Sequence, residues 1–198
     1  MIHRIAASAG LVAGILLTAP TQPAQAQAKW VVDPVHSQVD FRVRHLVGRV
    51  RGTFTDWYAI IIAKDGNWRH GVVNMSAQTA TLNTGNAIRD ADLRSDHFFA
   101  VDRYPQMTFE GTGIVATDST VTIAGTLTIK GHVHAVALTG QYRGVAKDSD
   151  GHERIAFEAT TTLDRRDYGM TWSPNVAGSE LIGNDVEITV ALEAVRIN

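Results

Sequence analysis

The chain has 198 residues, 44% of them hydrophobic, with 20 acidic against 18 basic side chains and no cysteine. That length fits one domain, and a net charge of −2 gives no general attraction to nucleic acid or to an anionic membrane. The lack of cysteine excludes disulfides and a lipid carried on a cysteine thioether.

The first 26 residues stand apart. Arg4 supplies a positive start, Ile5 to Ala19 an apolar run, and Ala24-Gln25-Ala26 a small-x-small cleavage site, the three parts of a secretory signal peptide. The run is 15 residues long and contains Gly10 and Gly14, short of the roughly 20 residues that span a bilayer. Residues 1–26 are therefore expected to be cleaved, with Ala26-Gln27-Ala28 offering a second site after Ala28, and residues 29–198 form the mature domain. Cleavage removes Arg4 and no acid, leaving 17 basic against 20 acidic side chains and a charge of −3. The expected location is the periplasm.

From Lys29 the chain reads as strands. Val39, Phe41 and Val43 alternate with Asp40, Arg42 and Arg44, a period of two. Gly48 breaks this strand, and a second runs from about Val50 to Ala63, ending at the turn Asp65-Gly66-Asn67. A third covers about Val73 to Leu82. The stretch from Leu82 to Gly111 then differs from both flanks. Its charges cluster, Asp90, Asp92 and Asp96 can each cap a helix, and Pro105 stops one. This predicts a single helical insert from Ala91 to about Ala100, with Leu93, His97 and Phe98 on its apolar face.

Beyond Pro105 the alternation sharpens. Met107 and Phe109 open one strand. Val121, Ile123, Leu127 and Ile129 mark the next, and Val136, Leu138 and Tyr142 follow the turn at Gly131. Ile155, Phe157, Ala159, Thr161 and Leu163 share one face, as do Val186, Ile188, Val190, Leu192 and Ala194 at the end. About eight to nine strands, each with one covered and one wet face, make an all-β antiparallel domain. Periodicity leaves a sandwich and a closed barrel both open.

The insert carries a longer pattern, T-G-x-x-x-R-D-x-x-L-R-S-x-x-F-F-x-V-x-x-Y-P-x-x-T-F, running from Thr84 to Phe109. It resembles the YceI-like family of periplasmic lipid-binding proteins. The resemblance extends to W-x-V-D-P-x-H-S-x-V-x-F-x-V-x-H-L from Trp30, R-G-x-F from Arg51, G-x-L-T-I-K-G from Gly125 and L-D-R-x-D-Y-G-M-x-W from Leu163. It implies an antiparallel, lipocalin-like β-barrel of about eight strands with an apolar interior and one short α-helical insert packed on it. An eight-stranded barrel is wide enough for packed side chains or for one slender ligand.

Residues with chemical potential weigh against catalysis. His36, Asp33 and Ser37 sit together, but no nucleophile elbow surrounds Ser37, and a turn begun at Asp33-Pro34 accounts for all three. His36 and His45 lie on opposite faces of a regular strand, at about 3.3 Å per residue roughly 30 Å apart. His132 and His134 share a face yet lack an adjacent third ligand, so no metal site is expected. Arg89, Asp90 and Arg94, with Asp164, Arg165, Arg166 and Asp167, suit a structural salt-bridge network, although an arginine at a barrel mouth could hold a head-group oxygen.

No catalytic residue, cofactor or metal is therefore expected. What the resemblance implies is a carrier for a long apolar amphiphile, a polyisoprenoid or related lipid or quinone. Phe41, Val43, Phe54, Leu82, Arg89, Phe98, Phe99, Phe109, Leu127 and Phe157 are the expected ligand contacts. The partner is that lipid or isoprenoid, with no nucleic acid and no stable membrane insertion; a homodimer is compatible with this reading. The contrasting class is a ligand-free stress or accessory protein for a membrane quinone or cytochrome system. An interior filled by Phe41, Phe109, Phe157, Leu127 and Leu192 would favour it.

Overall fold

The computed structural model describes residues 27–176 and 178–197, so the expected signal peptide lies outside the described residues. Its strands are β1 (Ala28–Val32), β2 (Gln38–His45), β3 (Gly48–Phe54), β4 (Trp57–Ala63), β5 (Val72–Gln78) and β6 (Leu82–Asn83). Helix α1 (Ala87–Arg94) follows. Then come β7 (Gln106–Ala116), β8 (Thr120–Ile129), β9 (His132–Lys147), β10 (Glu153–Asp164), β11 (Asn175–Val176), β12 (Ser179–Glu180) and β13 (Ile182–Arg196). Among the described residues no helix is long and apolar enough to cross a membrane.

Hydrogen bonding runs β1–β4–β5–β7–β8–β9–β10–β13 and returns from β13 to β1, which closes an antiparallel barrel of eight strands. Closure removes the open edges that a sandwich would keep. β1 and β2 share one edge of β13: β1 pairs with Ala194–Arg196 and β2 with residues 182–191. Between them the chain leaves the ladder at Asp33–Ser37. There the Ser37 hydroxyl accepts from the Glu193 backbone N–H at 2.9 Å and donates to its carbonyl. Asp33 accepts from the Val35 N–H and pairs with His36. This trio thus satisfies a backbone break.

The single strand expected from Val50 to Ala63 is two strands. Thr81 draws the chain off the ladder by accepting from the Asp56 N–H at its hydroxyl and from the Thr55 N–H at its carbonyl. The third strand likewise ends at Gln78, and a 3-10 turn at Thr79–Thr81 redirects Leu82 to pair with Phe54.

The helix lies earlier than the sequence predicts. It covers Ala87–Arg94, and its cap is Asn86, whose side chain accepts from the Arg89 N–H. Asp90 does not cap because its carboxylate is taken by the Thr84 N–H at 3.0 Å and hydroxyl at 2.5 Å. After Arg94 the chain coils tightly: Phe98 and Ala100 bond back to the Ser95 carbonyl, and Ala100 takes a left-handed φ of 48°. Leu93, His97 and Phe98 therefore do not share a helical face.

One end of the barrel is packed shut. Trp68 stacks on Phe157 with ring centroids 6.5 Å apart and lies 5.0 Å from Tyr142. Trp30, Ile61, Val121 and Ile155 are buried around them. The opposite end carries α1, the β2–β3 hairpin and the β8–β9 turn.

Candidate ligand cavity

Inward-facing apolar residues of an eight-stranded barrel can meet across the axis or leave a gap. Here they leave a cavity of about 540 Å³ reaching from the α1 end toward the middle of the barrel. Each wall strand contributes by its period of two. β2 supplies Val39, Phe41 and Val43, β7 Met107 and Phe109, β8 Ile123, Leu127 and Ile129, and β13 Val186, Ile188, Val190 and Leu192.

Eight of the ten contacts expected from sequence line this space: Phe41, Val43, Phe54, Arg89, Phe98, Phe99, Phe109 and Leu127. Leu82 and Phe157 do not. Phe157 lies below the cavity floor, sandwiched against Trp68. Leu82 is fully buried in the wall opposite Phe54, and its carbonyl accepts from Arg94. The tight coil after α1 brings both Phe98 and Phe99 to the lining, with Phe99 meeting Phe54 edge-on at 5.7 Å.

Sequence reasoning left out several lining residues, among them Met75, Met107 and Met170, which are every methionine apart from Met1. Unbranched thioethers adapt to irregular apolar ligands. Strand alternation pointed Met107 inward. Met170 has no such signal, because it follows the 3-10 turn Arg165–Tyr168 and is placed by Gly169 in a left-handed conformation at φ 70°.

The charged groups divide between struts and rim. Arg94 donates to the carbonyls of Ala80 and Leu82, fastening α1 to the wall. Arg165 is 4% exposed and donates to the carbonyls of Gly183, Met170 and Trp172. It therefore ties the segment before β11 to the start of β13, and burial pushes its pKa down from the ordinary arginine value. Arg166 pairs with Asp164 at the surface. The expected salt-bridge network is thus largely a set of arginine-to-carbonyl ties. Arg89 bonds Thr84 through Nε and Nη2 while also bordering the cavity.

Arg44, His45, Asn86, Ile88 and Asp92 complete the rim with Arg89, and Trp172 borders it between His97 and Phe98. Deeper polarity is sparse. The buried Tyr168 hydroxyl has no hydrogen-bond partner among the described residues, and burial, helped by Asp167, pushes its pKa up to about 12. It stays neutral in an apolar wall.

His132 and His134 lie outside the cavity. His134 meets the Asp167 carbonyl at 3.0 Å and the Tyr168 ring edge-on, and His132 lies beside Gly169.

Known proteins share this architecture. The YceI-like domain model matches residues 30–194. Protein YceI of Salmonella arizonae is 31% identical over 162 residues, which cover 81% of this chain and 82% of that protein. The crystal structure of the Campylobacter jejuni YCEI protein superposes with a TM-score of 0.66 at 30% identity, covering 77% of this chain and 88% of the other. A polyisoprenoid binding domain from Saccharophagus degradans shares the fold at a TM-score of 0.62 and 15% identity, covering 84% of this chain and 97% of its own.

Proposed function

The chain belongs to the YceI-like family, and from that premise we propose that it is an exported carrier that holds the tail of a long amphiphile, a polyisoprenoid or related lipid or quinone, inside its barrel. The observation that carries this reading is the apolar cavity of about 540 Å³, closed at the Trp68 end and bordered by polar side chains at the other. The polyisoprenoid binding domain of Saccharophagus degradans has the same fold, which supports the choice of ligand class. Burial is worth about 0.8 kcal/mol per methylene, so roughly ten buried carbons supply about 8 kcal/mol, micromolar affinity before ordering costs. No polar chemistry is needed for that, and a head group would meet Arg89, Arg44 and His45. A filled interior would favour a ligand-free accessory protein, and the cavity weighs against it.

Export is part of the proposal, with cleavage after Ala26. Ala28 is buried and pairs with Ala63 at the start of β1, so cutting after it would remove a barrel residue. N-terminal sequencing of the exported protein tests this. The ligand is tested by extracting lipid from protein purified without detergent and weighing it by mass spectrometry. A long-chain apolar molecule recovered intact in stoichiometric amount is expected. Empty protein that also fails to take up a polyisoprenoid would sink the reading.

A further inference from the structure

The β2–β3 hairpin breaks two rules of stable hairpin design at once. Its strands place Arg42 directly opposite Arg51 and Arg44 directly opposite Arg49. Like charges facing each other across a ladder destabilise it. Glu187 is the carboxylate that pairs with this ladder among the described residues, at 2.5 Å from Arg42 and 3.7 Å from Arg49. The two-residue turn linking the strands is Leu46-Val47, where asparagine, aspartate or glycine is the usual choice. Leu46 adopts a left-handed φ of 51°, and Val47 is fully exposed while Leu46 is 44% exposed. One carboxylate does not balance four facing arginines, and folding does not call for an apolar tip.

The hairpin reaches the cavity mouth through Arg44 and His45, next to the tip. The Leu46 N–H donates to the Leu181 carbonyl, and Arg44 donates to the carbonyls of Leu46 and Glu180. Leu181, Arg44 and His45 line the mouth with Ile88, which is 85% exposed on α1.

We propose that the β2–β3 hairpin is a docking element for an anionic phospholipid bilayer, through which the carrier meets its membrane. Leu46 and Val47 enter the boundary between head groups and acyl chains, joined by the exposed Ile88 of α1, which also borders the cavity. The arginines stay at phosphate level, where long side chains hold their charge while their stems lie along apolar surface. The negative surface relieves the repulsion between facing arginines, which is the charge complementarity that selects a lipid surface over a neutral one. Docking this way turns the open end of the barrel to the bilayer, so a tail passes between them without crossing water. It serves the lipid-carrier reading above, but its test is separate.

The experiment is flotation of the full mature chain with phosphatidylcholine vesicles, with and without phosphatidylglycerol, at low and high salt. The unmodified protein is expected to float with the anionic vesicles and to be released by salt. Leu46→Asn/Val47→Ser supplies a residue that tolerates the left-handed turn, so it should fold as well or better and yet lose about tenfold or more in partitioning. Arg49→Gln/Arg51→Gln should lose roughly fivefold per arginine removed and show a weaker salt dependence. Uptake of the fluorescent probe N-phenyl-1-naphthylamine into the cavity, measured without vesicles, should be unchanged in both. Equal flotation of all variants, or flotation that ignores phosphatidylglycerol, overturns the docking proposal. It is also overturned if the protein takes up the probe but never floats, which would assign the ladder to an acidic protein partner. Flotation with no probe uptake would instead sink the carrier reading and leave the docking surface standing.

Discussion

Gly52 on β3 and Phe41 on β2 occupy the same space. A β-carbon at position 52 would overlap the Phe41 ring, reaching 2.6 Å from its Cε1, and would come within 2.9 Å of the Thr84 methyl. The tip of the ring fills the space a side chain at position 52 would take, and from that position it forms cavity wall. Gly52→Ala should therefore force Phe41 off its place, at a cost of about 1–3 kcal/mol. Probe uptake should fall with it. Unchanged denaturant midpoint and uptake would show that the ring has another rotamer available at no cost.

Phe98, Phe99 and Phe157 separate lining from core. Phe157 lies under the floor against Trp68, so Phe157→Ala should cost about 3–5 kcal/mol, the usual price of an emptied packed site. Phe98 and Phe99 already border open space. Their alanine variants should cost less in lipid-free protein and lose more of the bound tail. Denaturant melts on delipidated protein, paired with lipid mass spectrometry, measure both quantities. Early unfolding of both lining variants with lipid content held constant per folded molecule would make the α1 segment a core element.

Arg165 and Arg166 are neighbours with opposite stakes. Arg165 is buried among carbonyls, so Arg165→Lys exchanges a planar fork for a point charge that cannot reach three of them. Hydrogen bonds to a charged donor are worth about 1.5–3 kcal/mol each, and a loss of at least about 2 kcal/mol is expected, with faster amide exchange around Met170 and Gly183. Arg166→Ala breaks an exposed pair with Asp164 and should cost under about 1 kcal/mol. Equal costs in denaturant melts would refute the distinction.

Wherever side chains alternate along a regular ladder, the fold and the cavity lining were legible from sequence. The inward runs of β8, β10 and β13 follow from a period of two, and Phe41, Phe109 and Leu127 followed with them into the lining. Legibility failed where the chain leaves the ladder. The helix start depends on Asp90 being captured by Thr84, a contact between residues whose types permit either role. The two-strand reading of residues 50–63 required the Thr81 bonds, which come from a distant segment. Phe157 obeys the alternation as well as Ala159 does, yet only its depth along the barrel, set by Trp68, separates floor from wall. Arg165 looks in sequence like one more member of an ion-pair cluster, and its carbonyl partners appear only once Gly183 and Met170 are brought together.

Acid should loosen the closed end of the barrel first. Arg154 there bonds Asp33, Asp148 and Glu193 at 2.6–3.0 Å, and Asp33 also meets His36. The hydrogen bond from His36, then that from Arg154, lowers the Asp33 pKa from 3.8 to about 2. A carboxyl depressed on folding binds its proton more readily in the unfolded chain, so its stabilisation is complete above 3.8 and drains away as the pH falls through about 2. Asp164, held by Arg166, is likewise lowered to about 2, but near the mouth. Thermal melts from about pH 5 down to about pH 2 should show the midpoint falling through this window. Asp33→Asn should begin lower and lose less on acidification, and Asp164→Asn should do the same more weakly, since its partner lies at the surface. The positions of the two carboxyls predict a further difference in amide exchange. Protonating Asp33 should speed exchange at Val32 and Glu193, where β1 joins β13, before it reaches β8. If the Asp33→Asn melt tracks the unmodified protein across the whole range, the Arg154 cluster contributes nothing to acid stability and the depressed carboxyl is a surface ornament.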